Sequence, residues 1–206
     1  MLNHWGIEQP TGLIISPVAA TGDFIGSRRD VELLFSVYER LSRVTLPLVR
    51  SVAFAFDSEE LTQIDKDDLT RRADGRLLFL PARHLECFAL SAAAIADLIN
   101  LYDTRNDPIE IATVREELIR VGGDQKYKAS DRWSGDPDDA EWSLSVDAAK
   151  LLSDIIQTLT ETRVAFEKTR HTLELLRGTL KHEPTKLEPV RDYLSSLMSL
   201  LFERAG

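Results

Sequence analysis

Short apolar runs closed by turn residues alternate, over the N-terminal half of the chain, with stretches whose apolar residues recur at helical spacing. Gly12–Val18 reads as a buried strand, because it is a β-branched run bounded by turn residues, and Ala20–Asp23 supplies the turn after it. From Arg28 the period changes: Val31, Leu34, Phe35, Tyr38 and Leu41 form one helical stripe, which Pro47 ends. Ser51–Phe56, apolar on both faces, predicts a strand covered on both sides. Glu60–Arg72 predicts a polar helix anchored by Leu61, Ile64 and Leu69, with Gly75 closing it. Leu77–Leu80 reads as a further strand, and alanine-rich Ser91–Leu101 as a helix that turns Ile95, Leu98 and Ile99 inward. Such alternation predicts right-handed βαβ units and a parallel sheet.

After Tyr102 helical periodicity takes over, at Ile109–Val121, Val146–Thr162, Phe166–Leu180 and Leu187–Phe202. The last carries Leu187, Val190, Leu194, Leu197, Met198 and Leu201 on one face. Gly122–Trp142 has no period and gathers Asp136, Asp138, Asp139 and Glu141, as a functional or partly disordered loop would. The fold class expected is therefore α/β, a small parallel sheet in residues 1–104 followed by an all-helical C-terminal region in 105–206 with an acidic loop at 122–142.

Composition narrows the function classes. The 206 residues hold 25 Lys and Arg against 34 Asp and Glu, a net charge of -9, so the surface as a whole is no electrostatic sink for nucleic acid. A local basic track remains open. The single cysteine, Cys87, excludes a disulfide framework and a cysteine-rich zinc site, and between Glu86 and Phe88 it reads as a small packed hydrophobe. No apolar stretch approaches the roughly 20 residues of a membrane span. Met1–Trp5 lacks the basic start and apolar middle of a signal peptide, so the expectation is a cytoplasmic protein away from membranes. Phosphate-binding glycine loops ending in Lys-Ser or Lys-Thr are missing, as are Gly-x-Gly-x-x-Gly and Gly-x-Ser-x-Gly.

Three constellations carry candidate chemistry. Asp57-Ser58-Glu59 ends a predicted strand, and ligands of open α/β sheets sit off the carboxyl ends of strands. There Asp57, Glu59 and Glu86 are positioned to share one divalent cation, which takes oxygen donors. Asp57 followed by Glu60 equally fits a helix cap with its reciprocal acid. Glu86, flanked by Leu85, Cys87 and Phe88, is costly to bury without a partner, and Arg83, His84 or a cation is the partner the sequence offers. His84, His171 and His182 show no zinc-ligand spacing. Finally, Arg163, Lys168, Arg170, His171, Arg177, Lys181 and Lys186 crowd one segment; Arg163, Arg170 and Lys181 are candidate nucleic-acid contacts, since such side chains bind phosphates by charge. A solvated helix face balanced by Glu167 and Glu174 is the alternative.

Taken in order, these segments resemble the TOPRIM (topoisomerase/primase) region of the ATPase-linked nucleases of the overcoming-lysogenisation-defect family. Gly12–Gly22 matches its strand and glycine turn. Asp57-Ser58-Glu59 matches its Asp-x-Asp pair with Glu in second place. Ala82-Arg83-His84-Leu85-Glu86-Cys87-Phe88 is similar to its Arg-x-Leu-Glu-Asn-Tyr element, with Cys and Phe replacing Asn and Tyr. Ala149–Ile155 and Phe166–His171 are similar to its helical tail. The resemblance implies a TOPRIM-like sheet and a Mg²⁺- or Mn²⁺-dependent DNA nuclease, a hydrolase of a phage-defence system. In it Asp57 and Glu59 would be metal ligands, Lys168 and Glu86 catalytic residues, and an AAA-type ATPase the partner. The family's opening Glu-Gly strand has no counterpart before Gly12, so the expectation is a TOPRIM region without its first Glu-bearing strand, active or an inactive fragment. An exposed sheet edge would then invite a homo-oligomer or a partner chain. The alternative is a non-catalytic interaction module that docks a protein such as an ATPase.

Overall fold

The computed structural model describes residues 2–9, 12–13, 53–58, 61–104, 107–127 and 133–202. The expected strand at Gly12–Val18, the helix from Arg28 and the candidate ligand Glu59 lie, wholly or in large part, outside them. The chain divides into two compact units, one of Met1–Phe56, Leu61–Phe79 and Arg191–Gly206, the other of Asp57–Glu60 and Leu80–Val190.

The first unit holds a two-stranded parallel sheet, β1 (Phe54–Phe56) beside β2 (Leu77–Phe79), in the register Phe54 to Leu77, Ala55 to Leu78 and Phe56 to Phe79. A parallel pair needs a crossover, and helix α1 (Gln63–Arg72) supplies it. Thr62 starts α1: its Oγ1 accepts from the Asp65 N–H at 3.2 Å, while Asp65 Oδ2 accepts from the Thr62 N–H at 3.1 Å. This reciprocal capping box, and not Asp57, starts the helix; Glu60, the other half of the Asp57–Glu60 alternative, lies outside the described residues. Gly75, at φ +70°, makes the left-handed turn into β2 that a residue without Cβ adopts readily. Contrary to the anchoring expected of it, Ile64 is 80% exposed, and α1 buries no residue.

The second unit is helical. After a 3₁₀ turn at Leu85–Ala89 come α2 (Ala92–Tyr102), α3 (Ile111–Val121), α4 (Ala140–Ser145), α5 (Ala148–Leu159) and α6 (Lys168–His182). The last helix, α7 (Glu188–Phe202), begins in this unit and continues into residues of the other. Ser91 caps α2 by accepting from the Ala94 N–H at 3.2 Å. Ile95, Leu98 and Ile99 are buried as their spacing requires, joined by Leu151, Leu152, Ile155 and Ile156 of α5 and Leu175 and Leu176 of α6. Each such side chain contributes about 1.5–3 kcal/mol on burial.

The acidic segment is anchored where it is described. Trp142 is 1% exposed, donates from Nε1 to the Gly122 carbonyl at 2.8 Å and lies 4.6 Å, centroid to centroid, from Trp133. A Cβ on Gly122 would come within 2.6 Å of the Trp133 ring, so glycine is what lets the indole close over that turn. Asp139 caps the start of α4, and Arg115 binds both Asp136 and Asp138. Of the acids that read as part of a loose loop, Asp139 is a cap and Asp136 and Asp138 are ion-pair partners.

Candidate functional site

Glu86 occupies the 3₁₀ turn and is 3% exposed. A carboxylate so placed needs partners, and α6 supplies them: Thr172 Oγ1 donates to Oε1 at 3.1 Å, and Lys168 Nζ stands 3.6 Å from Oε2. Lys168 and Thr172 are four residues apart, hence on one face of α6. Lys168 opens the helix with its side chain 59% exposed, so the ammonium reaches solvent while facing the buried acid. Thus Glu86 pairs with Lys168, a residue distant in sequence, and not with Arg83 or His84 as the local sequence offers.

His84 precedes that turn in extended conformation, and its carbonyl accepts from the Cys87 N–H at 3.1 Å. Burial, then the positive charges of Arg83 and Lys168, hold its imidazole below the ordinary value, against the opposing fields of Asp147 and Asp57. The ring thus feels the fields of both Asp57 and Lys168, which act on it in opposite directions. Cys87, 3% exposed, has its thiol pushed up to about 11, chiefly by burial, and its Sγ faces the Val146 carbonyl at 3.5 Å. It is a packed group, since the thiolate is the reactive form.

The basic candidates are dispersed. Arg163 binds the fully buried Asp103 through Nε at 2.9 Å and Glu161 through Nη1 at 2.7 Å. The Arg170 guanidinium lies 4.8 Å over the Tyr102 ring and 3.9 Å from Glu174. Lys181 meets Asp97 at 3.1 Å, beside His182 at 2.8 Å from the same oxygen. At 1.5 Å rise per residue, Lys181 is roughly 20 Å along α6 from Lys168.

Hard oxygen donors are present in Asp57 and Glu86, and magnesium commonly takes one or two carboxylates with water and phosphate filling the rest. Among the described residues, no three His, Cys, Asp or Glu side chains gather closely enough to hold a metal ion. Of the two carboxylates expected as ligands, Asp57 is a hard oxygen donor, and Glu59 lies outside the described residues.

Local pattern reading passes over Thr172, and takes His84 only as one of the partners offered to Glu86. The four-residue spacing of Lys168 and Thr172 is a signal for the first. Only the neighbouring charges single out the second. No family model, curated protein or solved structure matches the chain. No helix among the described residues is long and apolar enough to cross a membrane.

Proposed function

We propose that this chain carries a magnesium-dependent phosphodiesterase centre of TOPRIM type, acting on DNA within an ATPase-linked, phage-defence nuclease system. The observation that carries the reading is the meeting of Lys168 with buried Glu86, from segments that the resemblance alone makes catalytic. The electrostatic reach of His84 to both Asp57 and Lys168 supports it further.

Asp57, with Glu59, would hold the ion. When bound, such a cation supplies an activated water and charge stabilisation at the phosphoryl oxygens. The chain's own residues do the rest. Lys168 presents its ammonium to a phosphate oxygen; Glu86 keeps that ammonium at the site; His84, held toward its neutral form, accepts a proton. An AAA-type ATPase is the partner in keeping with this reading.

A second reading, an interaction module without turnover, draws on the engagement of Arg163, Arg170 and Lys181 with the protein's own acids and rings. Plasmid nicking with Mg²⁺ or Mn²⁺ separates the two. The wild type is expected to nick, and Asp57→Ala and Lys168→Ala to lose about 10²-fold or more, the scale of removing one charge-stabilising group. Absence of nicking, or equal nicking by the variants, contradicts the catalytic reading and favours the module.

A further inference from the structure

Helix α6 starts without a side-chain cap from Glu167, yet its first turn is closed from within. The Glu167 backbone N–H donates to His171 Nδ1 at 3.0 Å, and the His171 backbone N–H donates back to the Glu167 carbonyl at 2.8 Å. One residue therefore holds both polar groups of the position immediately before Lys168. A ring nitrogen that accepts carries no proton, so the neutral imidazole has its proton on Nε2. The ring cannot easily turn away: it is 3% exposed, with the Tyr102 ring 4.9 Å and the Phe166 ring 6.0 Å from it. The next residue is Thr172, the hydroxyl that donates to Glu86.

We infer that His171 is a positioning residue for the Lys168–Glu86 pair: its Nδ1 fixes the first turn of α6, and with it the direction from which Lys168 approaches the carboxylate. Without the acceptor, the Glu167 N–H loses its partner and the turn frays, as uncapped helix starts do. Lys168 lies in that turn and leaves Glu86 first, while Thr172, deeper in the helix and buried, stays. The inference rests on the proposed reading in taking Lys168 and Glu86 as the working pair, but its test needs neither metal, DNA nor turnover.

The experiment is competitive acetylation of the full chain, read lysine by lysine, in wild type, His171→Asn, His171→Leu and Glu86→Gln, with a long-range ¹H–¹⁵N spectrum of the imidazoles. His171 is expected as the Nε2–H tautomer. Lys168 should gain reactivity roughly threefold in Glu86→Gln and in His171→Leu, the size that a screened ion pair allows, with the other lysines unchanged. His171→Asn, whose side-chain oxygen replaces the acceptor, should label like wild type. An Nδ1–H ring, or His171→Leu labelling like wild type, overturns the inference. So does an unchanged Lys168 in Glu86→Gln, which removes the pair itself and is told apart from a failed nicking assay. Should His171→Leu not fold, the tautomer and His171→Asn decide: labelling of His171→Asn at the Glu86→Gln level overturns the inference.

Discussion

Glu86 owes its importance to its surroundings. Apolar neighbours at Leu85, Cys87 and Phe88 announce that this acid is buried and must be paired, and that much is legible in the sequence. The identity of the pair is not, because Lys168 and Thr172 arrive through the packing of α6 on the 3₁₀ turn, a long-range event with no local period. The same packing shapes His84. Its imidazole is held low, so the folded state disfavours the proton that the unfolded chain accepts, and the unfolded state binds more protons as the pH drops past the ordinary histidine value, about 6.5. Stability contributed by the neutral ring is therefore present above that value and lost as pH falls through it. Urea denaturation between pH 8 and pH 5.5, a window of about one unit or more either side of that value, should show a smaller acid loss in His84→Gln than in wild type; parallel curves would contradict the assignment.

Among elements, those with strong signals are where the pattern places them. The apolar positions of α2 and α5 follow the helical period, and their buried faces match it. Boundaries move by the chemistry of caps: the Thr62–Asp65 box starts α1 later than hydrophobic spacing suggests, and on that polar helix Ile64 stays in solvent. The acidic segment hides α4 from pattern reading, since a helix of six residues has too few positions to show a period. Close helix contact is equally silent in sequence. Gly178 of α6 lies against Ala94 of α2, where an added Cβ would stand 2.8 Å from the Ala94 Cβ and 3.1 Å from its Cα. Alanine is the better helix former by about 1 kcal/mol, so Gly178→Ala would stabilise an isolated α6. Overpacking costs typically 1–3 kcal/mol, and the Cα offers no flexible end to move. The net expectation is destabilisation of up to about 2 kcal/mol in urea denaturation, and a gain in stability would show that the two helices part freely.

On the scale of the whole molecule, the strand–helix alternation foretells a parallel sheet crossed by a helix and a helical remainder, and β1, α1 and β2 with the helices after them have that character. The function proposed from the resemblance rests most heavily on Asp57. The carboxylate follows β1 directly in the chain, where an α/β fold offers its ligand site, and its field reaches His84. A cation that binds only the native state raises its stability by mass action, about 2.7 kcal/mol at a hundredfold excess over the dissociation constant. The decisive measurement is the thermal midpoint of wild type and Asp57→Ala across a Mg²⁺ and Mn²⁺ titration to millimolar concentration. A rise is expected in wild type and none in Asp57→Ala; no rise in wild type, or the same rise in both, contradicts the proposed metal site.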